Sequence, residues 1–383
     1  MSLRDLKTLA LFCKVVDNFG DIGICWRFAL QLQQEHGIGV TLWVDDLRTF
    51  KRIRPDVDVD ASIQHIAGVT VRHWTSQDGE FAPSDIADIV IEFFAVDIPP
   101  GYIKAMAQCD PKPVWFNLEG LTAEEWVEGC HTLPSSHPQL PLTKYFFFPG
   151  FTSKTGGLLR EASLLDERRR FVSDPGAAAA FLAGLGVTPS EQAGLKVSLF
   201  CYQHAPVTEL FEAWQQGPVP VTCLVPEGVV ADAARAFIGG EPQAGAVATR
   251  GALTVRIVPF VAQPDYDKLL WSCDLNFVRG EDSFVRAQWA GKPFVWHIYH
   301  QDENLHHKKL RAFLHRYSPD IESLFAFSLG WNGALEDAGL AAQWPLLHAD
   351  LSLISRRAEE WTGQMLNLGD FTGNILQFAR SHR

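Results

Sequence analysis

The chain has 383 residues, 47% of them hydrophobic and 20% charged, which is enough to form the cores of about two domains. Its formal net charge of −12 argues against a nucleic-acid partner, which needs a basic stripe, and permits a cationic one. The seven cysteines form no CxxC pair, which argues against a zinc ribbon and fits a reducing cytoplasm. Because we find neither a signal peptide nor an apolar run of bilayer length, we expect a cytoplasmic protein that does not enter membranes.

In the first half of the chain, nearly continuous apolar runs of strand length alternate with helical periodicity. This pattern is typical of parallel strands that are covered on both faces. A helix that places Trp26, Ala29 and Leu30 on one side follows the first run and ends at Gly37. The predicted strands lie at 9–16, 40–44, 89–93, 114–118 and 145–148.

The second half repeats this alternation, so the sequence predicts an α/β protein with two doubly wound, Rossmann-like domains. In the glycosyltransferase-B architecture, two such domains face each other across a cleft. The predicted strands of this half lie at 197–201, 221–225, 255–258, 275–278 and 294–297. The predicted helices lie at 208–215, 229–237, 265–271, 284–289 and 305–315.

The domain boundaries are predicted from glycine, proline and charge patterns. We expect an N-terminal domain at 1–165 and a second domain at 185–365. A join between them holds a glycine pair and the charged run 167–170. We expect the C-terminal helix, within 366–383, to pack back on the first domain.

The first candidate motif runs from Asp17 to Gly23, directly after the first strand and before a helix. Ligands of open α/β sheets gather at the carboxyl ends of strands, and Gly20 and Gly23 permit tight turns there. Asp17 and Asp21 are candidate catalytic carboxylates, and a turn residue with a helix N-cap is the alternative interpretation. The GxGxxG pattern of a dinucleotide site is absent from the sequence, which argues against a nicotinamide-dependent reductase.

The second candidate motif runs from Arg279 to Arg286 and also joins a strand to a helix. A helix N-terminus with a serine suits phosphate, and Arg279 can add a bidentate contact. Glu281 and Asp282 suit hydroxyl or base N–H groups, unless they are solvated acids of a helix cap.

Two further strand-end loops carry aromatic side chains. Phe260 and Gln263 lie in one of them and can stack on a base and bind its edge, unless Phe260 is simply buried in a proline-bounded loop. Tyr202 lies in the other and can reach a diphosphate through its hydroxyl. The histidines between 297 and 307 are interpreted as surface residues rather than metal ligands, and the acids at 56–60 as an exposed turn.

These motifs, in this order, resemble the elongation factor P arginine rhamnosyltransferase family (EarP). The resemblance covers nearly the whole chain and depends on long runs rather than on a single short motif. The sequence departs from the family pattern at Val295, where phenylalanine is expected, and at His300, where proline is expected. The matching runs are 12–23, 42–46, 150–161, 279–288 and 291–299.

The resemblance implies an inverting glycosyltransferase of the B type that needs no metal or other cofactor. Its donor would be dTDP-β-L-rhamnose and its acceptor one arginine of elongation factor P. The resemblance further implies that the 1–165 domain lies on the acceptor side and that the 185–365 domain binds the nucleotide-sugar. The essential acids of the family correspond to Asp17, Asp21 and Glu281. We assign proton transfer to Asp21 and orientation of the guanidinium to Asp17, with Glu281 holding the donor. The expected donor-binding residues are Phe19, Gly20, Tyr202, Phe260, Gln263, Arg279, Asp282 and Ser283.

Three other functions remain open from the sequence. Two are enzymes of the same architecture: a small-molecule glycosyltransferase and a nucleotide-sugar epimerase. The third is a nucleotide-sugar-binding module without catalysis. The intact acid pair and the intact 279–283 loop argue against that module. A requirement for a protein acceptor would distinguish a protein-modifying enzyme from the other two enzymes.

Overall fold

The structure is a computed structural model that describes residues 6–17, 19–74, 79–335 and 339–382. The chain divides into two compact units. Unit 1 comprises Met1–Ala162 and Met365–Arg383, and unit 2 comprises Ser163–Gln364. The sequence predicts domains at 1–165 and 185–365, and unit 2 begins at Ser163, so it includes the helical segment that holds the charged run.

The described strands of unit 1 form one sheet. They are β1 (Thr8–Cys13), β2 (Gly39–Val44), β3 (Ile63–Ile66), β4 (Val69–His73), β5 (Ile89–Phe93), β6 (Val114–Leu118), β7 (Pro134–Ser136) and β8 (Thr143–Phe147). Their order across the sheet is β3-β4-β2-β1-β5-β6-β8-β7. Neighbouring strands are parallel except at the two edges, where β3 and β7 pair antiparallel. The central strands are buried along almost their whole length, as their apolar runs predict.

The helices that follow these strands are α1 (Phe19–His36), α2 (Leu47–Ile53), α3 (Pro100–Met106) and α4 (Val127–Cys130). The helix α1 buries an apolar face against the sheet, and Trp26 on this face packs edge-on against Phe50 of α2. The side chain of Asp46 caps α2 by accepting from two backbone N–H groups of its first turn.

Unit 2 has a second sheet. Its described strands are β9 (Leu195–Leu199), β10 (Val221–Pro226), β11 (Val247–Arg250), β12 (Leu253–Val258), β13 (Leu275–Arg279) and β14 (Phe294–His297). Their order across the sheet is β11-β12-β10-β9-β13-β14. The sheet is parallel apart from the edge strand β11.

Unit 2 is the more helical unit. Its helices are α5 (Leu164–Ser173), α6 (Ala177–Gly184), α7 (Pro189–Gln192), α8 (Val207–Gln216), α9 (Ala231–Ile238), α10 (Gln263–Ser272), α11 (Asp282–Ala290), α12 (Leu305–Tyr317), α13 (Glu322–Trp331), α14 (Leu340–Ala349) and α15 (Leu351–Leu366). In its core, α10 and α11 are joined by a bidentate ion pair in which Arg286 Nη2 lies 2.7 Å from Asp267 Oδ2. None of the helices in the described ranges is long and apolar enough to cross a membrane.

The last helix, α16 (Phe371–Ser381), belongs to unit 1. Phe371 packs edge-on against Phe28 of α1, and Thr372 donates a hydrogen bond of 2.7 Å to Gln31. The side chain of Asp370 caps α16 by accepting from Gly373 N at 2.9 Å. The C-terminal helix therefore completes the core of unit 1.

Each sheet reverses its strand order at one point. In unit 1 the chain builds outward from β1 through β2 and then from β5 through β6, so the reversal lies between β1 and β5. The corresponding point in unit 2 lies between β9 and β13. Open α/β sheets bind ligands outside the carboxyl ends of the strands at such a switch point. The prediction of two doubly wound, Rossmann-like domains is confirmed.

Candidate functional site

The chain leaves β1 at the switch point of unit 1 and turns directly into α1. Asp21 lies in the first turn of α1 with only 4% of its surface exposed, whereas Asp17 is half-buried. The Oδ2 atom of Asp21 accepts hydrogen bonds from Val16 N and Asp17 N, each at 2.8 Å. One turn therefore holds both predicted carboxylates. Asn18 of the same motif lies outside the described residues.

Burial is the main cause of the raised pKa of Asp21, although the N–H groups of Asp17 and Val16 act in the opposite direction. The negative charge of Asp45 raises the pKa of Asp21 further. Among the described residues, Oδ1 of Asp21 has no hydrogen-bond partner. A buried carboxyl group with a raised pKa and one open oxygen is suited to accept a proton.

Gly20 and Phe19 complete the turn. Gly20 N donates to Asp17 O at 2.7 Å, and a Cβ atom at Gly20 would lie only 2.9 Å from Asp17 Oδ2. Because glycine has no Cβ atom, it leaves the space that the Asp17 carboxylate occupies. The half-buried ring of Phe19 lies 5.4 Å from the guanidinium carbon of Arg52.

Asp45 was not among the predicted site residues. It directly follows β2, the neighbour of β1, and its Oδ1 atom accepts from Val15 N at 2.8 Å. Asp45 and Asp21 thus anchor consecutive backbone amides of the same loop. The available signal in the sequence was the position of Asp45 at the end of a strand adjacent to β1.

At the switch point of unit 2, the structure brings Arg279 and Tyr202 together. Arg279 is the last residue of β13, and its Nη1 atom donates to Cys201 O at 3.1 Å. The guanidinium carbon of Arg279 lies 4.4 Å from the ring centroid of Phe200 and 4.9 Å from that of Tyr202. This cation, at the end of β13, therefore lies near two aromatic rings that follow the adjacent strand β9.

Ser283 closes the turn between β13 and α11. Its hydroxyl accepts from Arg279 N at 2.9 Å and donates to Arg279 O at 2.5 Å, while Gly280 adopts a φ of 58°. The hydroxyl proton is therefore used within the turn. The structure does not support the expectation that this hydroxyl donates to a phosphate.

The remaining predicted donor residues lie around the start of α11. Glu281 is the N-cap of this helix, and both Glu281 and Asp282 are half-buried. Asp282 Oδ2 accepts from Gln263 Nε2 at 3.4 Å, which joins the start of α11 to the start of α10. Phe260 is half-buried in the loop that precedes α10. Two predicted motifs thus meet at one edge of the sheet.

His297 is a second residue that the sequence analysis missed. It is 2% exposed, and its Nδ1 atom accepts from Tyr202 N at 3.2 Å. Burial, with smaller contributions from His204 and Arg279, lowers the pKa of His297 to about 3, so the ring is neutral. The interpretation as a surface histidine is wrong for His297 and also for His306, which is 4% exposed.

Neither candidate metal motif forms a site in the described ranges. No group of three or more His, Cys, Asp or Glu residues there is arranged to hold a metal ion. Asp56, Asp58 and Asp60 are exposed, and Asp58 N donates to Gln64 Oε1 at 2.9 Å. The prediction of an exposed turn at these acids is confirmed.

Comparison with known proteins identifies the family. The family model described as elongation-factor P (EF-P) rhamnosyltransferase EarP matches residues 9–380 of this chain. A protein-arginine rhamnosyltransferase of Pseudomonas putida is 46% identical over 380 residues, covering 98% of this chain and 99% of that protein.

Solved structures agree with this result. A structure that shows the basis of EarP-mediated arginine glycosylation of translation elongation factor EF-P is 33% identical and has a TM-score of 0.66. The match covers 98% of this chain and 99% of that one. A UDP-glucose:anthocyanidin 3-O-glucosyltransferase in complex with UDP, at 10% identity and a TM-score of 0.51, covers 99% of this chain and 100% of its own, and is alike in fold alone. The chain therefore belongs to the EarP family of elongation-factor P rhamnosyltransferases.

Proposed function

We propose that this chain transfers L-rhamnose from dTDP-β-L-rhamnose to the guanidinium group of one arginine of elongation factor P. The observation that carries the proposal is the family match over 9–380, together with a buried acid turn at the switch point of unit 1. The net charge of −12 also suits a cationic acceptor group. We place this reaction in the cytoplasm, as the sequence analysis expects.

The acceptor chemistry explains why the turn carries two carboxylates. A guanidinium is always protonated in water and its lone pairs are delocalised, so it is a poor nucleophile. Asp17 binds and orients the cation, and Oδ1 of Asp21 takes a proton as the new bond forms. The raised pKa of Asp21 increases its strength as a base at neutral pH.

The transfer is a single displacement with inversion. A guanidinium nitrogen attacks the anomeric carbon of rhamnose while the bond from that carbon to the diphosphate oxygen breaks. The nitrogen loses its proton to Asp21, and dTDP leaves with the electron pair of the broken bond. Because attack occurs on the face opposite the leaving group, the β-linked donor gives an α-linked product.

The loops at the switch point of unit 2 hold the donor in this proposal. Arg279 and the backbone N–H groups at the start of α11 offset the charge of the leaving diphosphate, without a metal ion or other cofactor. Tyr202 lies beside Arg279 and contributes its hydroxyl. Ser283 contributes by fixing the Arg279 backbone rather than by contacting phosphate.

The other donor contacts concern the sugar and the base. Glu281 and Asp282 bind hydroxyl or N–H groups of the donor. The ring of Phe260 stacks on the base, and Gln263, which is bonded to Asp282, contacts the base edge. We also assign Phe19 and Gly20 to the donor side, through the turn that they form with Asp17.

Intact-protein mass spectrometry of elongation factor P tests the proposal. The purified chain is incubated with elongation factor P and dTDP-β-L-rhamnose, and a donor-free reaction serves as the control. A gain of one deoxyhexose that maps to a single arginine supports donor, acceptor and linkage site together. Conversion of the donor into another nucleotide-sugar without protein modification would instead indicate an epimerase. Donor binding without turnover would favour a small-molecule glycosyltransferase whose acceptor is missing from the mixture.

A further inference from the structure

Two consecutive residues with positive φ follow β5. Phe94 has a φ of 57° and Ala95 has a φ of 53°, although neither is glycine. Side chains on L-residues disfavour this conformation, so it persists only where the surrounding structure enforces it. Such strain concentrates at functional sites.

The neighbouring strand β6 enforces this turn. Phe94 N donates to Leu118 O and Ala95 N donates to Asn117 Oδ1, both at 2.9 Å. The Asn117 side chain is 1% exposed, and its Nδ2 atom donates to Glu119 Oε1 at 2.6 Å. Glu119 therefore fixes which end of the Asn117 amide faces the turn.

The register of the sheet places the turn beside the acid motif. The strands β1 and β5 are parallel neighbours, with Phe12 paired to Glu92. The residues after Phe93 therefore emerge next to those after Cys13, at the switch point of unit 1. Phe94 and the loop that carries Asp17 leave adjacent strand ends.

The ring of Phe94 is 36% exposed although it packs on the buried ring of Phe93, with 4.0 Å between the centroids. Folding alone favours burial of such a side chain. An exposed aromatic ring after β5, next to the strand end that leads to two carboxylates, is suited to a planar cation, since a guanidinium stacks on aromatic faces.

We propose that Phe94 is an acceptor-binding residue that stacks on the arginine guanidinium, and that Asn117 positions it. The inference rests on the proposed function, because the acceptor group must be an arginine. Carboxylates bind a guanidinium at its edge, through the N–H groups in its plane. The ring then covers one face of that plane.

Stacking of this kind has a consequence for the reaction. The N–H bonds of a guanidinium lie in its plane, so the electron pair that is freed when Asp21 takes a proton also lies in that plane. Attack on the anomeric carbon therefore takes place through an edge of the group. A ring that covers one face holds the guanidinium without blocking that edge.

The test compares four variants of the full-length chain: Phe94→Tyr, Phe94→Leu, Phe94→Ala and Asn117→Ala. The measurements are kcat and KM for elongation factor P, the Kd for dTDP and the melting temperature. Tyrosine keeps the aromatic face and should retain wild-type values. Leucine keeps a similar apolar volume without the face, and we expect its acceptor KM to rise about tenfold. We expect Phe94→Ala and Asn117→Ala to raise the acceptor KM at least as much.

A purely structural role would lower the melting temperature and weaken dTDP binding along with acceptor binding. That result, or a wild-type acceptor KM in Phe94→Leu, would overturn the inference. Failure of the wild-type chain to modify elongation factor P would overturn the proposed function, and the inference with it. The two failures are distinguishable, because the second is seen in the wild-type chain.

Discussion

Replacement of Asp21 by asparagine removes the proposed base with little change in shape. In the structure one oxygen of Asp21 accepts two backbone N–H groups, and the amide oxygen of asparagine can accept the same two bonds. The turn that holds Asp17 should therefore persist. What disappears is the group that takes the proton and one negative charge beside the guanidinium.

The expected loss of turnover follows from the proton transfer. A positioned general base contributes about 10²- to 10⁴-fold, so kcat should fall by at least about 100-fold. The stability of the Asp21→Asn variant, in contrast to its turnover, should not fall at neutral pH. The folded-state pKa of Asp21 is raised above its ordinary value of 3.8, so its stabilising contribution is present below that value and is lost as the pH rises through the raised pKa. At neutral pH the Asp21→Asn variant should therefore be at least as stable as the wild type, and this advantage should shrink as the pH falls towards 3.8.

The assay combines single-turnover transfer to elongation factor P with thermal unfolding at several pH values. Asp46→Asn is the matched control, because it makes the same chemical change at a carboxylate that caps α2 and has no proposed role in proton transfer. Asparagine caps helices as well as aspartate does. We expect this control to retain transfer within about twofold. A rate for Asp21→Asn above about a tenth of the wild-type rate would refute the assignment of Asp21 as the base.

Three further predictions concern other parts of the chain. Gly20→Ala places a Cβ 2.9 Å from Asp17 Oδ2, so the acceptor KM should rise while the melting temperature changes little, and a wild-type KM would show that the position of Asp17 is not critical. Arg286→Leu leaves Asp267 buried without its cation, so the free energy of unfolding measured in urea should fall by about 3–5 kcal/mol, and additional replacement of Asp267 by leucine should recover part of that loss. The pKa of His297 is lowered from its ordinary value of 6.5 to about 3, so the fold loses stability as the pH falls through this range. In His297→Asn the melting temperature should therefore decline less steeply on acidification. An unchanged decline would contradict this cause.

The buried parallel strands could be predicted from the sequence, because two covered faces require a continuous apolar run. The predicted strands at 89–93 and 114–118 coincide with β5 and β6. The edge strands β3, β7 and β11 were missed, since they are largely exposed and carry polar side chains. Pairing on one side stabilises such strands, and the sequence pattern does not record it.

The missed helices have a similar explanation. Charged residues dominate α5, and its run at 167–170 suggested a linker, yet its buried Leu164 and its ring contact between Phe171 and Trp271 belong to unit 2. The apolar residues of α13 and α14 lie on all sides, so neither helix shows a clear amphipathic period. Their assignment depends on tertiary burial.

The sequence pattern predicts two candidate loops, one in each unit, because each directly follows a buried strand. The sequence does not predict which residues of those loops form hydrogen bonds within the loop itself. Ser283 and Asp21 both looked like residues aimed at a ligand, but each forms hydrogen bonds with its own turn. Asp45 and His297 come from other strands, and only the order of strands in the sheets brings them to the loops they support.

The strand order also explains why these loops, rather than others, carry the candidate chemistry. At a switch point the two neighbouring connections run to opposite faces of the sheet and leave a crevice between them. In unit 1 that crevice is bordered by the acid turn after β1 and by the strained Phe94 turn after β5. A carboxylate pair alone would bind any cation. In the proposed site, an aromatic ring on the neighbouring strand end favours a planar cation, such as the guanidinium of an arginine side chain.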